Sequence, residues 1–399
     1  MEFSYLCTRC GAGYDLSPEL TTCPVCRDEQ KQDEPLRGVL EVKISGDLPE
    51  EALHDTEVLV QSLLPVPPEF FPPLPRVKGE LWKPEKLCRE LSLPGLRIMN
   101  DGSNPTGSFK DRASVLVSAY ARQNGIDSIV LASTGNAGSS MAGIGAAAGQ
   151  KVILFLPETA PPAKMIQSLQ YGATLYKVAG NYDMAYDLSL DYSEKEGGMN
   201  RNTAWNPMTM EGKKTVSLDI YAQLGGRAPD RVLVPTGDGC IIGGVFKGFK
   251  DLLQFGLIDR MPRITAVQAE GSNALHRALA SGSFDNRPSS TVADSISVDI
   301  PRNGYTALKY LQEYDGDTVC VSDQEIIEAQ AHLSGNAGLF TEPAGAASWA
   351  GLLKLKETIQ PGETVVVLAT GSGLKDTATA LKGIQMPEKT ISKIEDIRG

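Results

Sequence analysis

Lys110 stands where a lysine could do chemistry. It lies in Asn104-Pro105-Thr106-Gly107-Ser108-Phe109-Lys110-Asp111-Arg112, where Pro105 and Gly107 break the chain and Ser108 is a natural N-cap. An unbroken helical pattern follows from Arg112 to Gln123. The positive end of a helix dipole disfavours a charged ammonium, and burial acts in the same direction, so the free amine gains population. Such an amine can form a Schiff base with a carbonyl carbon. The competing reading is a solvated lysine at a surface helix start.

Three glycine-rich turns accompany it, each after a short apolar run. Ser133-Thr134-Gly135-Asn136-Ala137-Gly138 opens a helix composed almost entirely of Ala, Gly, Met and Ile. Its free N–H groups and flanking hydroxyls suit a carboxylate. Pro235-Thr236-Gly237-Asp238-Gly239-Cys240-Ile241-Ile242-Gly243-Gly244 could wrap a phosphate with its amides. It lacks the Lys-Ser/Thr ending of a nucleotide P-loop, which argues against a nucleoside triphosphate. The third turn is Ala369-Thr370-Gly371-Ser372-Gly373-Leu374-Lys375. Glycine after a strand is usually only a turn, but three such turns and the Lys110 segment on one chain point to a combined site.

Four of the seven cysteines form two pairs, Cys7-Thr8-Arg9-Cys10 and Cys23-Pro24-Val25-Cys26, with twelve residues between them. Two pairs on tight turns can give Zn²⁺ a tetrahedral set of thiolates. Gly11 and Gly13 suit the turn, and no His is nearby, so a closed four-cysteine site that stabilises rather than catalyses is expected. The alternative is four free thiols in a mobile tail. Cys88, Cys240 and Cys320 read as ordinary thiols.

The elements that must position these residues alternate. Strands are expected at Ile129–Leu131, Val152–Leu156, Thr174–Val178, Arg231–Pro235, Ile264–Ala269 and Thr364–Ala369. Helices are expected at about 136–149, 162–171, 182–196, 211–224, 242–255, 323–334, 345–358 and 374–382. Strands apolar on both faces between helices imply parallel α/β layers, in which ligands bind beyond the carboxyl ends of strands. No internal repeat is present. Residues 27–35 read as a charged linker, and Pro65–Pro75 as an extended surface arm. The 399 residues suffice for about two or three domains. A net charge of −11 argues against a nucleic-acid partner. No run of about 20 apolar residues offers a membrane span. The first residues lack the basic and apolar regions of a signal peptide, so a soluble cytoplasmic protein is expected.

The Asn104–Arg112 segment resembles the cofactor-lysine segment of threonine synthases, members of the fold type II pyridoxal-phosphate enzymes. Ser133–Asn136 resembles their substrate-carboxylate loop, and Thr370–Asp376 their C-terminal motif. Asn206-Pro207, Glu211–Thr215 and Glu342-Pro343-Ala344 match the same branch, and some members carry a four-cysteine module. The resemblance runs from about Cys7 to Asp376. It implies two α/β domains with pyridoxal 5′-phosphate between them: a small one at 113–205, a large one from 36–112 and 206–399, and a zinc module with linker at 1–35. It implies that Lys110 holds the cofactor and moves protons, with Phe109 beside the ring and Asn136 on the 3′-oxygen. The amides of Gly237, Asp238, Gly239, Cys240 and Ile241 would hold the phosphate, and Thr370 would meet the pyridine nitrogen. Ser133, Thr134, Asn136 and Ala137 would receive the carboxylate of an amino-acid substrate. A homodimer is also implied.

Two departures bear on the substrate. The family's Asn-Pro-x-Arg reads Asn206-Pro207-Met208-Thr209, which loses an arginine, and its Gly-Asn reads Gly237-Asp238. An ionised Asp238 repels phosphates unless N–H groups or a cation stabilise it. Lys164, Lys213, Lys214 and Arg112 are the candidates for supplying the lost charge. The expected activity is conversion of O-phosphohomoserine and water to threonine and phosphate. The alternatives are another elimination or replacement (threonine/serine deamination, or a phosphoserine-using synthase such as cysteate synthase) or a catalytically dead interaction protein. The chain shows no C-terminal effector-binding extension, which disfavours a regulated dehydratase.

Overall fold

A computed structural model of the chain describes residues 1–160, 162–388, 390–392 and 397, with the side chains of 162–164 left aside. Three sheets organise it. β1 (Glu2–Cys7), β2 (Gly13–Asp15) and β3 (Leu40–Ser45) form a small antiparallel sheet in the order β2-β1-β3. This sheet draws on residues on both sides of position 35.

β4 (Glu80–Trp82), β5 (Leu96–Asn100), β10 (Arg231–Pro235), β11 (Arg263–Ala269), β12 (Asp317–Val321) and β13 (Val365–Ala369) form the largest sheet, ordered β12-β11-β10-β13-β5-β4. All its pairs are parallel except β4 with β5. β6 (Ser128–Ala132), β7 (Lys151–Pro157), β8 (Thr174–Val178) and β9 (Met199–Asn200) form a parallel sheet ordered β8-β7-β6-β9. β10 and β13 are apolar on both faces because helices cover both sides, as parallel sheets require.

Every strand expected from the sequence is present. β1–β5, β9 and β12 were not expected. β9 has two residues and β12 starts with Asp317-Thr318, which gives little periodicity to read.

Several helix boundaries differ from expectation, three of them for a clear local reason. The expected 211–224 helix starts earlier, at Pro207, because Asn206 accepts the N–H of Met208 and Pro207 tolerates the first turn; it re-forms as Thr215–Gln223 after Lys214. The expected 374–382 helix is reduced to Thr377–Ala380 between two 3₁₀ turns, since Asp376 caps the Thr379 N–H. The Lys110–Gln123 helix has Phe109, not Ser108, at its N-cap. Phe109 is already helical and donates its N–H to the Thr370 carbonyl at 2.8 Å, while Ser108 Oγ accepts the Lys110 N–H at 3.4 Å.

The proline-rich stretch lies on this helix, with Arg122 donating to the Phe71 carbonyl at 2.7 Å. The charged segment before residue 35 is pinned: Tyr305 donates to Glu34 at 2.9 Å, and Arg37 pairs with the same carboxylate.

Candidate active site

Strand order brings the chemical turns together. β13 lies between β10 and β5, so three chain segments lie side by side: the Gly237 turn after β10, the Thr370 turn after β13 and the Lys110 segment after β5. A β-bridge joins Ser108 to Gly371. In the other parallel sheet β6 neighbours β9, which places the Ser133 turn beside Arg201. A cavity of about 370 Å³ opens between these groups, lined in part by Lys110, Ser133, Thr134, Asn136, Ala137 and Asp238.

Lys110 is the first residue of its helix and its side chain reaches this cavity. Burial and the neighbouring Lys213 ammonium lower its pKa to about 8, against the opposing pull of Asp238 and Glu342. About a tenth of the amine is therefore uncharged at pH 7, against well under a thousandth for an ordinary lysine.

Asn136, first in the Asn136–Ala148 helix, donates its amide to Glu342 at 2.7 Å and to Ser295 at 3.2 Å. Glu342 precedes the Pro343–Leu355 helix without a side-chain capping bond, and burial raises its pKa. A Cβ on Gly371 would lie 2.4 Å from its carboxylate, which explains the glycine there. The sequence matched Glu342 to a family motif but gave it no role; its place beside Asn136 at the cleft was not legible.

The Gly237 turn is tightly backed. A Cβ on Gly237 would sit 2.7 Å from the Ile296 Cα, and Gly239 has φ +82°. Of Gly237, Asp238, Gly239, Cys240 and Ile241, only Asp238 lines the cavity. Its carboxylate accepts the Cys240 N–H at 2.8 Å. The amides of Ile241 and Ile242 are orphan donors of the Cys240–Gln254 helix. Thr370 is buried at the end of β13, where its carbonyl holds Phe109. The Phe109 ring is fully buried against the Arg112 guanidinium, 5.6 Å from its centroid, and does not line the cavity.

The charge lost at Thr209 has several candidate replacements, which the structure separates. Arg112 is bound to Asp101 and Asp219 at 2.7 and 2.6 Å, and Lys214 to Glu211, Asp251 and the Leu63 carbonyl. Both are structural ion pairs. The Lys164 side chain lies outside those described. Lys213 is 1% exposed, and its ammonium has no hydrogen-bond or ion-pair partner among the described residues.

Sequence reasoning missed Arg201, which follows β9. It lines the cavity and is 1% exposed, with Nη1 donating to Thr203 at 3.3 Å and buried Nε and Nη2 unpartnered. No motif marks it, and a two-residue strand gives no sign of what lies at its end.

The cysteine pairs also converge. The four sulfurs of Cys7, Cys10, Cys23 and Cys26 lie within 4.8 Å of one another. Cys7–Cys26 and Cys10–Cys23 are 3.8 and 3.7 Å apart. A tetrahedron with Zn–S of about 2.3 Å has edges of about 3.8 Å, which these two pairs match. Gly38, at φ +73°, passes so close that a Cβ would meet Cys26 Cβ at 2.9 Å. The module docks through Lys250–Glu41 at 2.7 Å and Lys309 to the Thr8 carbonyl at 2.8 Å.

The family model described as pyridoxal-phosphate dependent enzyme matches residues 78–371. A threonine synthase of Methanocaldococcus jannaschii is 35% identical over 96% of this chain and 95% of its own length. One of Methanosarcina acetivorans is 34% identical over 98% of this chain and 97% of its own. Among solved structures, the processed form of threonine deaminase isoform 2 from Solanum lycopersicum aligns with a TM-score of 0.68 at 22% identity, covering 86% of this chain and 95% of that one, which marks a shared fold. No helix among the described residues is long and apolar enough to cross a membrane.

Proposed function

Because this chain belongs to the threonine synthase family of fold type II pyridoxal-phosphate-dependent enzymes, we propose that it converts O-phospho-L-homoserine and water to L-threonine and phosphate. The observation that carries this reading is Lys110: an amine with a pKa of about 8, at a helix start, facing a cavity of about 370 Å³. The residues present fit the cofactor. Lys110, which lines the cavity, would hold its carbonyl carbon; the Gly237–Ile241 turn, of which Asp238 reaches the cavity, would hold its phosphate; and Thr370, at the end of the neighbouring β13, would stand by its ring nitrogen. Bound there, pyridoxal phosphate supplies an electron sink for charge developing on the substrate carbons.

The chain's own groups do the rest. The Ser133–Ala137 turn, with its hydroxyls at a helix N-terminus, seats the substrate carboxylate. Lys110, as a free amine, would remove and return protons at Cα, Cβ and Cγ, and a pKa close to the working pH suits both directions. A neutral Thr370 hydroxyl would not enforce a proton on the ring nitrogen, which would favour elimination and replacement over transamination. We further read the four cysteines as a structural zinc site: four thiolates leave no position open for substrate.

The test is to assay phosphate and threonine formation from phosphohomoserine beside keto-acid formation from serine and threonine. Phosphate with threonine and no keto acid is the expected result. Keto acid alone overturns the reading.

A further inference from the structure

We propose that the chain carries a second ligand site, between the Lys110–Gln123 helix and the proline-rich arm, which takes one free apolar L-amino acid as its zwitterion. The site is a cavity of about 220 Å³ that shares no lining residue with the cleft described above.

Size and walls select the side chain. The volume exceeds the roughly 150 Å³ that takes up benzene and falls short of the roughly 300 Å³ at which drug-sized sites begin. One amino-acid side chain is on that scale. Leu64, Phe71, Leu74, Val77, Val115 and Leu116 make the wall apolar. Pro68, Pro72 and Pro75 also stand in it, and their fixed φ angles keep the arm in shape before anything binds. The floor is close-packed: a Cβ on Gly212 would lie 2.4 Å from the Arg112 carbonyl.

The polar groups at this cavity match both ends of a zwitterion. The Thr56–Ser62 helix presents Glu57 and Gln61, which share a face because they are four residues apart. Gln61 Nε2 donates to the Val66 carbonyl at 2.8 Å, which leaves Oε1 an acceptor without a donor among the described residues. The Glu57 carboxylate and this oxygen together suit an ammonium group. Arg76 suits the carboxylate. Its Nη2 is pinned to the buried Asp219 at 2.6 Å, while its Nη1 pairs with Glu57. That outer pair is partly exposed and therefore weak, so it opens at little cost. The ligand then exchanges each ion of the pair for a like one, and no charge is stranded. Lys78 reaches Glu57 at 3.6 Å but does not line the cavity. Arg112 adds no net charge, because Asp101 and Asp219 hold its guanidinium. A carboxylate or an amine alone would satisfy only one member of the Glu57–Arg76 pair.

The test is calorimetric titration of the cofactor-loaded protein with L-leucine. Saturable binding is expected, and V115F, which fills the cavity, is expected to remove it. Three partial probes are expected to bind at least about 10-fold more weakly. They are 4-methylpentanoate, without the ammonium; 3-methylbutylamine, without the carboxylate; and glycine, without the side chain. E57Q and R76Q are each expected to weaken leucine roughly 10-fold, the loss of one charge-assisted contact.

No saturable binding of L-leucine up to about 10 mM overturns the proposal. So does binding that survives intact in V115F, which would place leucine in the cleft or elsewhere. Either half-probe binding as tightly as leucine also overturns it, since the site would then read apolar volume and one charge. If V115F fails to fold, E57Q decides, because the Glu57 side chain is 56% exposed and its loss leaves the core intact. Leucine affinity in E57Q equal to wild type then overturns the proposal. None of these outcomes depends on turnover of phosphohomoserine, so this site and the threonine synthase reading fail separately.

Discussion

Asp238 accepts the N–H of Cys240 at 2.8 Å, and so fills one of the donors at the end of the helix best placed to hold a phosphate. Helix N–H groups compensate its negative charge, which is one of the two means of stabilisation the sequence left open. The carboxylate still stands at the mouth of the cradle, facing the cavity. Asp238→Asn keeps an oxygen for the Cys240 N–H and removes the repulsion. We expect the cofactor to bind about 1 kcal/mol tighter, roughly fivefold, with the gain shrinking in high salt. Fluorescence titration of the stripped protein at two salt concentrations checks this; equal or weaker binding contradicts it.

Lys110 sets a pH dependence. Its pKa in the fold is about 8, below the ordinary lysine value, so the native state loses this proton before the unfolded chain does. Stability attributable to this group therefore rises as pH climbs from about 8 toward the unfolded value of about 10.4. The rate at which stripped protein captures the cofactor is expected to increase about tenfold per pH unit below 8 and to level above it, because only the free amine attacks. Lys110→Ala is expected to show no borohydride-fixable cofactor at any pH. A flat profile, or fixation in the variant, refutes the assignment.

Metal content tests the cysteine cluster. One zinc per chain is expected, released by a strong chelator. Cys7→Ser is expected to cost at least about 2 kcal/mol, because binding free energy at a closed site is folding free energy. Limited proteolysis should then cut within the first 45 residues, where β1 and β3 pair and the cysteines fold over them. Metal-free protein with an unchanged melting temperature would dispose of the zinc reading.

Lys214 offers a control on the ion-pair interpretation. It is fully buried between Glu211 and Asp251, and Lys247 shares the Asp251 carboxylate at 2.5 Å. Lys214→Met should destabilise the protein by about 3–5 kcal/mol, since two buried carboxylates lose a partner. Because this cation is structural, the phosphate affinity of the folded fraction should not change. Denaturant unfolding with phosphate titration separates the two effects.

The local pattern carried a large part of this protein. Lys110 behind a Pro–Gly break, glycine turns after apolar strands and two cysteine pairs are short-range arrangements, and each is written in neighbouring residues. The alternation of apolar strands and helices likewise fixed the α/β class, because burial on both faces leaves a continuous apolar run. Chain folding at a distance decided the rest. Strand order, which no local pattern encodes, put the turns after β10, β13 and β5 side by side and brought the Ser133 turn opposite them. Which cations are free is also a long-range matter: Arg112 and Lys214 are consumed by carboxylates up to 107 residues away, whereas Arg201 meets none among the described residues. The sequence could supply candidate charges, but only packing could show which of them had no partner of their own.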